Sequence, residues 1–108
     1  MAITVYSNLV CGQCDATYRA LFAAGIDFEV VLVQFNDEAK ENVKKLGYLQ
    51  APVVITDEDH WSGFRPEKID EVVTRLDGLT PISFTEANAK FQALKKQLKD
   101  RAEELVAA

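Results

Sequence analysis

The sequence predicts an α/β fold: a four-stranded mixed sheet with helices on both faces, followed by a C-terminal helical extension. Two observations support this prediction. Residues 1–78 alternate between short β-branched runs and helical stretches in the order β-α-β-α-β-β-α. Residues 79–108 instead read as a linker and one long amphipathic helix. We therefore divide the chain into a core domain, 1–78, and an extension, 79–108.

Local signals define each element of the core. The expected elements are a strand over 3–6, a helix over 12–24, strands over 28–33, 52–56 and 60–63, and helices over 38–46 and 66–76. Gly25, Gly47 and Asp77–Gly78 follow the three helices, and Pro66 begins the third. The first β-α-β unit implies a parallel pair with a right-handed crossover. Only Asp57–Asp59 separate the last two strands, which therefore form an antiparallel hairpin.

The extension carries its own helix signals. Ser83 and Glu86 fit a capping box at the start of a helix expected over 83–106. Its apolar residues fall on one face, and they are Phe84, Ala87, Phe91, Leu94, Leu98, Ala102 and Leu105. This stripe is too short for an independent coiled coil. We expect it to dock on the core domain of a monomer, with a dimer or partner contact through the helix as the alternative.

Composition excludes several classes of protein. The chain has 108 residues, and 17 acidic against 12 basic side chains leave a net charge of −5. This charge argues against nucleic-acid binding and against a polybasic membrane anchor. No apolar run approaches the roughly 20 residues of a spanning helix. The N-terminal residues also lack the pattern of a signal peptide, so we expect a cytoplasmic protein without a membrane partner.

Two cysteines, Cys11 and Cys14, lie between the first strand and the first helix. Unpaired N–H groups and the positive end of the helix dipole favour a thiolate on Cys11, which we assign as the nucleophile. Cys14 lies on the same helical face beneath it and suits the resolving role. Gly12 allows another backbone to approach closely. The carboxylate of Asp15 opposes the thiolate, but we expect the pKa of Cys11 to be lowered on balance.

Other interpretations of the cysteines remain open at this point. The pair could be a structural bridge, although so small a loop constrains the unfolded chain little. A zinc site could use Cys11, Cys14, His60 and a carboxylate, or a metal or cluster could be shared across a dimer. The cysteines could also be buried residues without a role. We expect no metal and no bound cofactor, only a redox-active Cys11–Cys14 disulfide.

Two further segments stand out. Pro52 opens a strand, and because only about 5–6% of X–Pro bonds in folded proteins are cis, the residues alone favour a trans Ala51-Pro52 bond. The run from His60 to Pro66 contains Trp61 and Phe64 beside a glycine. These aromatic residues either pack on the core at a hairpin end or form an exposed platform for a partner protein.

Together, these motifs resemble those of the NrdH-redoxins, glutaredoxin-like proteins with thioredoxin-like activity. The resemblance covers residues 2–76 and rests on segments in family order: Thr4-Val5-Tyr6, Cys11-x-Gln13-Cys14, Ala16-Thr17, Gln50-Ala51-Pro52-Val53-Val54 and Trp61-Ser62-Gly63-Phe64-Arg65-Pro66. It implies a thioredoxin fold with Pro52 cis and facing the cysteine pair. It also implies that the Trp61–Pro66 segment is a loop held by hydrogen bonds through Arg65.

The resemblance also implies partners. They are thioredoxin reductase, which would reduce the disulfide with NADPH, and the large subunit of class Ib ribonucleotide reductase, which would receive the electrons. The expected partner-binding residues are Gly12, Gln13, Ala51, Pro52, Trp61, Ser62, Gly63, Phe64 and Arg65. Two features depart from the family: Gly12 replaces what is more often a larger residue, and the family core normally ends near residue 78.

Two alternatives belong to other functional classes. A glutathione-dependent glutaredoxin would need a Gly-Gly turn after the fourth strand and a basic residue near the first cysteine, but residues 7–10 contain neither Lys nor Arg. A thioredoxin-fold binding module without turnover would not need its cysteines, so the intact pair argues against it.

Overall fold

A four-stranded sheet forms the centre of the fold in the computed structural model, which describes residues 2–76 and 78–107. The strands are β1 (Thr4–Ser7), β2 (Glu29–Leu32), β3 (Val53–Ile55) and β4 (His60–Ser62), in the order β2-β1-β3-β4. β2 is parallel to β1, whereas β3 is antiparallel to both β1 and β4. The expected parallel pair and the expected hairpin are both confirmed.

The helices are α1 (Gly12–Ala23), α2 (Asp37–Lys45), α3 (Pro66–Arg75) and α4 (Phe84–Ala107). They agree with the expected helices to within one residue at each end. A short 3-10 helix, Val33–Phe35, was not expected, and because it begins at Val33 the second strand ends at Leu32. Asp77, one of the two residues expected to end α3, lies outside the described residues. Among the described residues, no helix has the length and apolarity needed to cross a bilayer.

Helices cover both faces of the sheet, as the sequence predicts. Successive strand residues point to opposite faces. On one face, Val5 and Val54 are fully buried in a cluster with side chains of α1, α3 and α4. On the other face, Tyr6 and Val53 line a groove together with Val43 of α2. The sheet thus separates α2 from the other helices.

Helix α4 packs along α1, which confirms the expected docking of its apolar stripe. The buried stripe residues are Ala87, Phe91, Leu98 and Ala102. The two ends of the stripe correct the expectation, because Phe84 is 84% exposed and Leu105 is 47% exposed. Only the middle of the stripe, from Ala87 to Ala102, is therefore covered.

Polar contacts fix α4 at two further points. The Arg19 guanidinium of α1 lies over the Phe91 ring, 4.2 Å from its centroid, in a cation–π contact. Arg101 Nη1 donates a hydrogen bond to the Val30 carbonyl of β2 at 3.3 Å. The helix therefore contacts both α1 and the edge strand of the sheet.

The linker before α4 crosses the end of α1. The Ile82 N–H donates to the Ala23 carbonyl at 3.1 Å. Gly25 has φ +75°, and a Cβ atom there would collide with the Thr80 carbonyl. Because L side chains rarely adopt this φ and there is no space for a methyl group, only glycine fits under the linker.

This close approach predicts an unequal cost for two glycine substitutions. Gly47 also has a positive φ, +91°, but within the described residues a Cβ atom there meets nothing within 4 Å. We expect Gly47→Ala to lower the free energy of unfolding by about 1–2 kcal/mol through backbone strain. We expect Gly25→Ala to cause the same backbone strain and, in addition, a steric cost of about 1–3 kcal/mol. Urea denaturation measures both, and equal losses would contradict this view of the linker.

Candidate active site

Cys11 and Cys14 form a disulfide bond at the start of α1, with their Cα atoms 5.2 Å apart. Cys11 is the N-cap residue, and its Sγ accepts a hydrogen bond from the Cys14 N–H at 3.1 Å. Cys14 is fully buried, whereas Cys11 is half-buried. A molecule that approaches from solvent therefore meets the Cys11 sulfur first, at a point where a backbone donor and the helix dipole favour negative charge.

The zinc alternative finds no support in the placement of ligands. Within residues 2–76 and 78–107, no group of three or more His, Cys, Asp or Glu side chains is placed to hold a metal ion. The His60 ring instead contacts the Tyr48 hydroxyl, with His60 Nδ1 2.6 Å from Tyr48 Oη.

The loop before β3 lies beside the cysteine pair. The Ala51-Pro52 bond is cis. The expectation implied by the resemblance is therefore confirmed, and the trans bond favoured by residue statistics is wrong. The Ala51 carbonyl oxygen is 4.0 Å from Cys11 Sγ, and Pro52 itself is buried.

Hydrogen bonds connect the start of α1 with two loops around the cysteines. Gln13 Oε1, between the two cysteines, accepts a bond from the Phe64 N–H at 2.9 Å. The neighbouring Gly63 N–H donates to the Pro52 carbonyl at 2.8 Å. The segment after β4 is thus held to α1 on one side and to the Ala51-Pro52 loop on the other. Gln13, expected to bind a partner, has an intramolecular bond in this structure.

Two expectations for the Trp61–Pro66 segment are corrected. Trp61 is only 3% exposed and packs in the core beside Val54, so an exposed platform is wrong for this residue. Phe64 is 37% exposed. The Arg65 side chain forms an ion pair with Glu67 in the first turn of α3, and within the described residues it donates no hydrogen bond to the loop. Gln13 provides the side-chain bond to this loop.

Sequence reasoning missed Lys95, which reaches the site from α4. Lys95 Nζ is 2.9 Å from Asp15 Oδ1 and donates a hydrogen bond to the Leu9 carbonyl at 3.1 Å. The ion-pair partners are 80 residues apart in the chain. No local pattern connects them, since Lys95 looks like any solvated lysine beside an apolar stripe.

Asp15 also acts on a buried tyrosine one turn further along α1. Burial raises the pKa of Tyr18 to about 12, the Ser7 hydroxyl lowers it in part, and the Asp15 charge raises it. Tyr18 therefore stays neutral over the pH range in which a thiol such as Cys14 or Cys11 ordinarily titrates.

Comparison with known proteins identifies relatives of this chain. Residues 3–61 match the sequence profile of the Glutaredoxin family. The glutaredoxin-like protein NrdH of Escherichia coli is 44% identical over 72 residues, which are 67% of this chain and 89% of that protein. Its counterpart in Salmonella typhimurium is 40% identical over 72 residues with the same coverage, 67% and 89%.

Solved structures lead to the same relatives. The Escherichia coli NrdH-redoxin, a glutaredoxin-like protein with a thioredoxin-like activity profile, superposes with a TM-score of 0.65 at 44% identity, covering 67% of this chain and 95% of that chain. A glutaredoxin from Archaeoglobus fulgidus superposes with a TM-score of 0.57 at 30% identity, covering 68% and 87%.

The fold and the Cys11–Cys14 pair define a thiol–disulfide oxidoreductase with the thioredoxin fold. The chain belongs to the glutaredoxin family and, within it, to the NrdH-redoxins. The resemblance seen in the sequence is thereby confirmed. Helix α4 lies outside residues 3–61, so the Glutaredoxin profile does not describe it.

The bond between Gln13 and the Phe64 amide gives a prediction. Gln13→Ala removes the acceptor, and because such a bond contributes about 1 kcal/mol, hydrogen exchange of the Phe64 amide should become about fivefold faster. Gln50→Ala is the matched control: it removes an exposed amide side chain but leaves the Gln50 carbonyl, which accepts from Ser62 Oγ at 3.0 Å. Equal exchange of the Phe64 amide in both variants would contradict the proposed tether.

Proposed function

We propose that this chain is an electron carrier that reduces protein disulfides, with Cys11 as the attacking thiolate and Cys14 as the resolving thiol. One observation supports these roles above all: the two sulfurs are unequal. Cys11 is only partly buried, and its Sγ caps α1 and accepts a hydrogen bond from the Cys14 N–H, whereas the Cys14 side chain is fully buried. A nucleophile has to be reachable and stabilised as an anion, and Cys11 meets both conditions.

The proposed reaction is two successive thiol–disulfide exchanges. The Cys11 thiolate attacks one sulfur of the target disulfide, so that a mixed disulfide forms and the other target sulfur leaves as a thiolate. Cys14 then loses its proton and attacks the Cys11 sulfur, which releases the second target thiolate. Two electrons pass to the target, which becomes a dithiol after protonation, and the Cys11–Cys14 disulfide forms again.

The surface around Cys11 suits a protein substrate. Val10, next to Cys11, is 93% exposed, and Leu49, before the Ala51-Pro52 loop, is 89% exposed. Exposed apolar side chains beside a reactive group favour docking of another protein. An extended segment of the target can pair with the backbone at Ala51, as in β-strand addition.

Thioredoxin reductase with NADPH is the proposed electron donor, and class Ib ribonucleotide reductase is the proposed acceptor. Family membership supports both partners. The bonds around the site also argue against glutathione, because the Gly63 and Phe64 N–H groups after β4 already donate to the Pro52 carbonyl and to Gln13 Oε1. Those donors are therefore not free for a glutathione carboxylate. The cytoplasmic location expected from the sequence stays a prediction.

Glutathione-dependent reduction is the second candidate, and one observation favours it. A groove of about 290 Å³ runs beside Ala51, and its lining includes Lys40 and Lys44 of α2. Two ammonium groups in the groove that Ala51 lines would attract the carboxylates of a glutathione molecule.

The assigned roles predict which cysteine variant traps a substrate. With Cys14→Ser, attack by Cys11 should stop at the mixed disulfide, because no second thiol is present to release the target. Non-reducing electrophoresis and mass spectrometry should detect a covalent adduct through Cys11. Cys11→Ser is the matched control and should give no adduct. An adduct with Cys11→Ser but none with Cys14→Ser would reverse the two roles.

The electron donor is tested by two coupled assays on the same protein. We expect rapid NADPH oxidation with thioredoxin reductase and little with glutathione and glutathione reductase. We expect the Lys40→Met/Lys44→Met variant to leave the reductase-coupled rate unchanged. Efficient glutathione-coupled turnover that this double variant abolishes would instead establish the glutaredoxin alternative.

A further inference from the structure

The carboxylate of Asp15 lies in an unfavourable place for a reactive cysteine. The backbone N–H of Asp15 donates to the Cys11 carbonyl at 3.0 Å, so Asp15 lies one helical turn after Cys11. A negative charge in this turn stabilises the helix itself, but it repels a second negative charge on the Cys11 sulfur. The chain thus places a like charge in the first turn of the helix that its proposed nucleophile caps.

Lys95 of α4 compensates this charge. Its ammonium group is 2.9 Å from Asp15 Oδ1, and the two side chains are 27% and 26% exposed, so solvent screens the pair only in part. The same ammonium donates a hydrogen bond to the Leu9 carbonyl, two residues before Cys11. A single cation therefore both neutralises Asp15 and holds the segment that leads into the cysteine pair.

The contact depends on the docked extension. Lys95 is flanked on α4 by Phe91 and Leu98, both buried against the core, and the Arg19 contact with Phe91 lies one turn away. Residues 3–61 include Asp15 but not Lys95. The cation that compensates the Asp15 charge therefore belongs to α4, which lies outside the segment that matches the Glutaredoxin profile.

We propose that Lys95 is a positioning residue for thiol–disulfide exchange: it cancels the Asp15 charge and fixes the Leu9 segment, so that the Cys11 thiolate forms at lower pH and reacts faster. This inference rests on the proposed role of Cys11 as nucleophile. It gives the C-terminal extension a function in the reaction itself and not only in the stability of the fold.

Charges on the other elements near the site stay constant in the test. Helix α2 contributes Lys40 and Lys44, which share a groove with Ala51. The start of α3 contributes Arg65, which is paired with Glu67. Because none of these groups changes among the variants below, a difference in the titration of the nucleophile reports on the ion pair between α1 and α4.

The experiment measures alkylation of the reduced, full-length protein by iodoacetamide from about pH 5 to about pH 9, the range over which protein thiols titrate. Mass spectrometry identifies which cysteine is labelled. We expect Lys95→Met to raise the pH midpoint of Cys11 labelling by about half a unit, since partial exposure limits the effect. Below the midpoint, labelling should therefore be about threefold slower.

Four further variants, one of them a matched control, separate charge from structure. Asp15→Asn should lower the midpoint, and Asp15→Asn/Lys95→Met should return it close to that of the unmodified protein. Lys95→Arg keeps the positive charge and should change the midpoint little. Lys96→Met is the matched control, because Lys96 is on the same helix, its side chain is 82% exposed and it pairs with Asp100. We expect no change in this control.

Each contrary outcome has one meaning. An unchanged midpoint in Lys95→Met, with Cys11 still the labelled residue, overturns the inference and leaves the proposed function intact. A raised midpoint that Asp15→Asn does not reverse shows that Lys95 does not act by cancelling the Asp15 charge, which also overturns the inference. Preferential labelling of Cys14 in the unmodified protein overturns the proposed function.

Discussion

The N-terminus of α1 has to be held in place while Cys11 stays partly exposed and Cys14 stays buried, and the surrounding structure meets this constraint. The Cys14 N–H donates a hydrogen bond to Cys11 Sγ and so orients the sulfur of the partly buried residue. The Cys14 side chain is fully buried in the protein. Gln13, between them, anchors the segment after β4. Gln13 thus connects the start of α1 to a loop that shapes the site.

The extension belongs to the same packed unit as the site. Helix α4 buries its central apolar residues against α1, the helix that begins with the cysteine motif. Every additional buried side chain adds to the stability of a small core, since a chain of this length buries a limited fraction of its surface. Movement of α4 would therefore change both the packing of α1 and the charges near its first turn.

Local signals in the sequence predicted most of the fold. Strand runs, helix caps and the short link between β3 and β4 act over a few residues, so their positions agree with the structure. Contacts between side chains were not predictable from these local signals. The Arg65 side chain pairs with Glu67 instead of holding the loop, and the ion pair of Lys95 with Asp15 joins residues 80 positions apart. The cis Ala51-Pro52 bond followed from family resemblance and not from residue statistics.

Helix α4 also changes what the sheet presents to solvent. In the strand order β2-β1-β3-β4, β2 is an edge strand, and an open edge can pair with a strand of another molecule. Arg101 donates to the Val30 carbonyl on this edge, and Leu94, Leu98 and Arg101 line the same hollow as Phe28 and Val30. The extension thereby occupies one outward-facing carbonyl of β2 with a guanidinium, so a strand of another molecule would have to displace Arg101 to pair with this edge at Val30.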